Sequence, residues 1–90
     1  MTKTQLVNVF NTDDKDTVRN MFFLIGDMMS HREDLMDSFN NINSKYYGKV
    51  TFGYSGFTVL LKTSEIPRVI KFISQKGIDV YSVFEVFKPN

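Results

Sequence analysis

The chain has 90 residues, a formal net charge of +1, 42% hydrophobic residues and no cysteine. This length predicts a single domain over residues 1–90. The near-neutral charge argues against a strongly basic nucleic-acid binder. The lack of cysteine excludes disulfides and thiolate metal sites and fits a reducing cytoplasm. The longest apolar run, residues 21–25, is too short to span a bilayer, and no signal-peptide pattern is present, so we expect a cytoplasmic protein without membrane segments.

The first half of the chain predicts a strand followed by helix. Residues 6–10 (LVNVF) are β-branched and aromatic, which is typical of a strand. Apolar residues over 18–29 recur with the spacing of an amphipathic helix. Ser30 and Glu33 have the spacing of a capping box, which marks a helix start. The prediction is therefore either one long helix over residues 14–43 or two helices that meet at Ser30.

The second half predicts two strands, a helix and a last strand. Residues 49–62 alternate on both sides of a tight turn, in which Gly53 and Gly56 are expected to adopt positive φ angles. Residues 63–76 show a helical apolar stripe with a proline in the first turn. Residues 78–87 form the last predicted strand.

The predicted order is β-α-β-β-α-β, an α+β fold of the ferredoxin-like, split-βαβ kind. It predicts a four-stranded antiparallel sheet with both helices on one face. The end of the predicted second helix, followed by Lys76-Gly77-Ile78 and then DVYSV, resembles the closing unit of ACT-type regulatory domains over about residues 63–83. This resemblance implies the fold and, as one function, sensing of a small ligand near the first β–α turn. The chain carries NTDDKD (residues 11–16) where those domains have a glycine-containing ligand loop.

No residue pattern predicts catalysis or metal binding. Gly53-Tyr54-Ser55-Gly56 is one residue short of a nucleophile elbow, and its predicted flanks are strands instead of a strand and a helix. The single histidine, His31, lies in an acidic segment, and a metal site would need further ligands. The acidic residues 13–16 lack the central glycine of a calcium loop. We therefore expect a protein that is not an enzyme and that has no metal or cofactor.

Strand alternation predicts an apolar sheet face opposite the helices. The residues expected to face the helices are Val7, Val9, Val50, Phe52, Val59, Leu61, Val80, Phe84 and Val86, and the residues of the opposite face become the candidate partner-binding set. This set consists of Leu6, Phe10, Leu60, Tyr81, Val83 and Phe87. A monomer rarely exposes so much contiguous apolar area. Either a partner covers this face, or a helix from residues 31–43 folds over it.

These features predict a small non-catalytic protein that binds another protein as a stoichiometric inhibitor or regulator and associates as a homodimer. The Lys, Asn, Phe and Ile content is compatible with a phage or mobile-element origin. One alternative is the ACT-like ligand-sensing domain. The other is a single-stranded nucleic-acid-binding module that uses Lys49, Lys62 and Tyr54, although the charge counts against it. The identity of a protein partner is not encoded in any motif.

Overall fold

The structure is a computed structural model, and it describes residues 15–87 of the chain. Its four strands form one antiparallel sheet in the order β2-β3-β1-β4, and two helices complete the fold. The predicted α+β class with a four-stranded antiparallel sheet is confirmed. The elements, in chain order, are β1 (Val18–Ile25), α1 (Met28–Phe39), β2 (Val50–Phe52), β3 (Gly56–Lys62), α2 (Ile66–Gln75) and β4 (Val80–Glu85), with a 3₁₀ turn at Thr63–Glu65 before α2.

The helix predicted for residues 18–25 is wrong, because this segment is the central strand β1. Helix α1 begins after Asp27, which adopts a left-handed conformation with φ of 53°. The helix has no break at Ser30, whose amide donates to the Asp27 carbonyl at 3.1 Å within the first turn. The predicted strand at residues 6–10 lies outside the described residues. The first strand and first helix of the described chain therefore fall at other positions than those predicted.

Aromatic rings join the two helices to one side of the sheet, here called the inner face. The ring of Phe57 on β3 stacks on Phe23 of β1 at 5.2 Å and lies 5.1 Å from Phe39 of α1. Phe39 also meets Phe72 of α2 edge-on at 5.6 Å. Both helices therefore pack over this face. The buried core comprises Met21, Phe23, Ile25, Met28, Leu35, Phe39, Phe57, Val59, Leu61, Val69, Ile73 and Ile78.

A β-bulge interrupts the pairing of β1 with β4. Ile25 pairs with Val80, whereas the preceding residue of β1, Leu24, pairs with Ser82. Tyr81 is thus the extra residue on β4. Because side chains alternate along a strand, one extra residue exchanges the faces of all the residues that follow it.

The bulge reverses the predicted faces of β4 beyond Tyr81. Val80 packs against the core as predicted. Val83 also packs against the core, although it was predicted to be on the opposite face. Phe84 was predicted to be core, but it is 50% exposed and its ring lies against Phe22 on the side away from the helices. Val86 follows Phe84 in alternation and was assigned to the wrong face for the same reason.

Arg19 is a buried charge that ties three segments together. Its Nε donates to Thr63 Oγ1 at 2.7 Å, and its Nη1 donates to Glu85 Oε1 at 3.2 Å. Its side chain is only 9% exposed. Because a buried ion must be paired, this network fixes the end of β4 and the 3₁₀ turn against β1.

Gly56 is required for a close approach of two backbones and not for a positive φ. Among the described glycines, only Gly48 and Gly77 have positive φ, so that part of the turn prediction is wrong. A Cβ added at Gly56 would lie 2.0 Å from the carbonyl oxygen of Phe23. No side chain fits there without separating β3 from β1. A Cβ added at Gly53 would meet nothing closer than 3.5 Å.

We predict that Gly56→Ala lowers the free energy of unfolding by about 1–3 kcal/mol, since the methyl group overpacks a strand junction. Gly53→Ala is the matched control in the same turn and should change it by less than about 0.5 kcal/mol. Urea unfolding followed by circular dichroism measures both. Equal stability of the two variants would contradict the close approach.

Candidate functional site

The side of the sheet turned away from both helices, here called the outer face, is the first candidate site. Within the described part of the chain, both helices pack on the inner face and leave this side uncovered. Two of its large apolar residues are well exposed, Phe84 at 50% and Leu60 at 43%. By strand alternation its members are Asn20, Phe22, Leu24, Thr51, Thr58, Leu60, Lys62, Ser82, Phe84 and Val86.

One row of paired residues crosses all four strands of the outer face. Thr51 pairs with Thr58, Thr58 is opposite Phe22, and Phe22 is opposite Phe84. The two rings of the row are 5.1 Å apart between centroids. The row is therefore aromatic toward β4 and hydroxyl-bearing toward β2.

A shallow groove lies beside the hydroxyl half of this row. Its volume is about 310 Å³. Asn20 pairs with Leu60 across it, and the Val86 amide donates to the Asn20 carbonyl at 2.8 Å. The full lining consists of Asn20, Gly48, Lys49, Thr51, Thr58, Leu60 and Val86. The outer face thus carries both an aromatic pair and a concave region.

The structure brings only part of the predicted partner-binding set to the outer face. Leu60 lies on it. Tyr81 is 69% exposed at the bulge, where its ring lies against Gly26 in the turn between β1 and α1. Phe87, at 57% exposure, follows the end of β4. Val83 is a correction, since it packs against the core. Leu6 and Phe10 lie outside the described residues.

Sequence reasoning missed the two rings at the centre of this face. Phe22 was assigned to a helix and Phe84 to the core. Burial alternates along residues 19–25 in the structure, but Phe22 and Leu24 on the outward side are apolar as well, so the sequence carries no period of two that would place Phe22 outward.

The residues of the nucleic-acid alternative lie at two ends of the sheet. The Leu60 amide donates to the carbonyl of Lys49 at 3.1 Å, and Lys62 follows Leu60 on the same side of β3. Tyr54 is 82% exposed in the turn between β2 and β3, at the opposite end of these strands. The two lysines therefore share a site with Leu60, and Tyr54 is separate from it.

A second concave region lies on the helical side of the molecule. It has a volume of about 310 Å³ and is formed by the end of α1, the following connection and the start of α2. Its lining residues are Ser38, Phe39, Ser44, Lys45, Tyr46, Glu65, Arg68, Val69 and Phe72. We call it the interhelical groove.

Glu65 and Tyr46 form the polar wall of this groove. Glu65 forms an ion pair with Lys45 and accepts a hydrogen bond from the Lys62 amide at 2.8 Å. Burial alone would raise the pKa of Glu65, but the hydrogen bonds from Lys45 and Lys62 outweigh it and hold the pKa below its usual value. Burial, the nearby Glu65 charge and a hydrogen bond to that carboxylate raise the pKa of Tyr46 to about 12. Tyr46 therefore remains a neutral donor toward Glu65 at physiological pH.

Ser55 and His31 occupy ordinary positions. Ser55 is exposed in the β2–β3 turn, and its carbonyl accepts a hydrogen bond from the Ile25 amide at 3.0 Å. His31 is half-buried within α1. Over residues 15–87, no three His, Asp or Glu side chains are grouped so that they could hold a metal ion. Neither helix in this range has the length and apolar character that a bilayer crossing needs.

No protein-family model, curated protein or solved structure matches this chain.

We predict that Glu65→Gln lowers the free energy of unfolding by about 1 kcal/mol near neutral pH, because it removes a charge-assisted hydrogen bond and an ion pair. The folded-state pKa of Glu65 lies below the unfolded value of about 4.3. Its contribution is fully present above the unfolded value and is lost as pH falls through the folded value.

The difference between wild type and Glu65→Gln should therefore shrink on acidification. Urea unfolding at about pH 7 and about pH 3 measures it. Glu33→Gln, at an exposed position of α1, is the control for the loss of one carboxylate and should change the free energy of unfolding by less than about 0.5 kcal/mol near neutral pH. A stability difference between wild type and Glu65→Gln that grows toward low pH would contradict the lowered pKa of Glu65.

Proposed function

We propose that this chain is a non-catalytic protein-binding module that associates with a second copy of itself through the outer face and acts as a regulator or inhibitor. The observation that carries the proposal is the aromatic pair of half-buried Phe22 and exposed Phe84 on a sheet face without a covering helix among the described residues. Uncovered apolar faces of this kind are typical of interaction sites.

We infer further that the fold is ferredoxin-like. The elements of the described chain follow the order β-α-β-β-α-β. In the sheet, β3 separates β1 from β2, and β1 separates β3 from β4. Strands that are joined by a helix are thus divided by a third strand, which is the defining property of a split βαβ unit. This arrangement collects both helices on one face and leaves the other for binding.

The chemistry of the outer face favours a second copy as its occupant. Around the aromatic pair the face carries hydroxyl, amide and aliphatic groups, and its cations, Lys49 and Lys62, lie at one end. Charged residues are depleted at the centres of protein interfaces, and aromatic residues are enriched there. A twofold axis through Phe22 and Phe84 would place the ring pairs of two copies on each other. The same axis would place the lysines of the two copies at opposite ends, so they would not repel.

Single-stranded nucleic acid is the second candidate, because one observation favours it. Lys49 and Lys62 flank Leu60 on the same face as the Phe22–Phe84 pair, so a backbone-binding end adjoins two rings on which bases could stack. The net charge of +1 counts against tight binding of a polyanion.

We predict that Phe84→Asp converts a self-associating wild type to monomer, since burying a carboxylate at the centre of the interface costs more than the association provides. Phe72→Asp is the matched control, because Phe72 is a comparably exposed ring, at 41%, on the helical side. Size-exclusion chromatography with light scattering gives the oligomeric state, and circular dichroism verifies the fold. A wild type that is monomeric at the highest soluble concentration, or equal dissociation by both variants, would refute the proposal.

For the second candidate, we predict that wild type gives no binding of a short single-stranded oligonucleotide at low salt in fluorescence anisotropy. If binding occurs, replacing Lys49 and Lys62 with Gln should reduce both the affinity and its salt dependence, since each phosphate contact contributes to the slope. Binding that is lost in the double variant and in Phe84→Asp, but kept in Phe72→Asp, would favour nucleic acid over a second copy.

A further inference from the structure

The interhelical groove lies on the helical side of the molecule, away from the Phe22–Phe84 pair that carries the proposed self-association. It is bounded by the end of α1, the connection that follows and the first turns of α2. Its volume of about 310 Å³ is at the lower end of the range for small-molecule sites. The groove is therefore large enough for one ring system with a short substituent.

Three aromatic rings line this groove. Phe39 lies 5.8 Å from Tyr46 and 5.6 Å from Phe72, with the Phe72 ring perpendicular to it. Phe39 is only 3% exposed, whereas Phe72 is 41% exposed. Phe39 thus provides a fixed floor. Lys76 Nζ lies over the Phe72 ring at 5.2 Å from its centroid, and the exposed part of this ring provides a side against which a planar ligand can pack.

The charged groups at the rim of the groove differ in their availability. Glu65 is engaged by Lys45, the Lys62 amide and the Tyr46 hydroxyl, so its charge is already compensated. Arg68 is exposed at the rim and forms none of the hydrogen bonds or ion pairs found among residues 15–87. An arginine fork of this kind is suited to a carboxylate, which it can bind through two parallel hydrogen bonds.

The basic character of this region extends beyond the groove. A neighbouring concave region shares Lys45, Tyr46 and Glu65 with it and adds Lys49 and Lys62. Together with Arg68, the two adjoining regions are lined by four cations and by one carboxylate, that of Glu65. The field at the groove mouth therefore favours an anion over a cation or a neutral ligand.

We propose that the interhelical groove binds a small aromatic carboxylate, with its ring packed against Phe72 and Phe39 and its carboxylate on Arg68. The ring requirement follows from the aromatic lining, and the charge requirement follows from the arginine at the rim. Both requirements can be tested separately with matched ligands.

The test is a titration of ¹⁵N-labelled full-length protein with indole-3-acetate, followed by NMR. Tryptophol, which replaces the carboxylate with a hydroxymethyl group, tests the charge, and acetate tests the ring. Indole-3-acetate should shift amides around residues 38–46 and 65–72, and tryptophol and acetate should bind at least about tenfold more weakly, since a charge-assisted pair and a buried ring are each lost. Equal binding of tryptophol, equal binding of acetate, or no shifts at millimolar ligand would overturn the proposal.

Two variants on the same helix complete the test. Arg68→Gln should weaken indole-3-acetate binding by at least about tenfold. Lys71→Gln removes a cation from an exposed position that does not line the groove, and it should change the affinity by less than about twofold. Equal effects of the two variants would show that only the general positive field matters and would overturn the assigned contact. Phe84→Asp should bind the ligand normally, so failure of self-association and failure of this proposal are distinguishable.

Discussion

Most of the fold depends on the contacts that the ring of Phe57 makes with β1 and α1. This ring is 1% exposed, stacks on Phe23 of β1 and lies against Phe39 of α1. Phe39 in turn positions Tyr46 and Phe72, so the walls of the interhelical groove depend on the same contact. The preceding residue, Gly56, lets β3 approach β1 closely enough for the two rings to stack. The interhelical groove thus lies over this aromatic cluster on the helical side, and the outer face is the other surface of the same strands.

The class of the fold could be predicted from the sequence, but the position of its first strand could not. In β1, every second residue is buried in the core, yet Phe22 and Leu24 on the other side are also apolar. A segment that is apolar on both faces has no clear period of two, and it matches a helical stripe equally well. The ambiguity has a physical origin, because the outer face carries apolar residues although the described helices do not cover it. The hairpin, α2 and β4 had clear local signals from turn residues, a first-turn proline and Gly77 at the helix end.

The sequence was sufficient to predict an apolar sheet face, but some residues were assigned to the wrong side of the sheet. The outer face was expected to be apolar, and Leu60 was placed on it correctly. The bulge at Tyr81 reverses the faces on which Val83 and Phe84 lie. The prediction missed this reversal because side-chain alternation in the sequence does not reveal an extra residue. The interhelical groove had no sequence signal, since Phe39, Tyr46 and Phe72 meet only through tertiary packing. Glu65 and Arg68 are three residues apart, a spacing that occurs on any helix surface.

The Arg19–Glu85 pair has a consequence for the edges of the sheet. Strand β4 is one edge, and it carries an inward-pointing carboxylate near its end and a bulge near its start. Strand β2, the other edge, has only three residues. Charges that point inward, bulges and short strands are the means by which sheets avoid adding strands from neighbouring chains. Within residues 15–87, both edges of the sheet thus carry features that disfavour the addition of further strands, so the proposed association through the outer face does not compete with pairing at the edges.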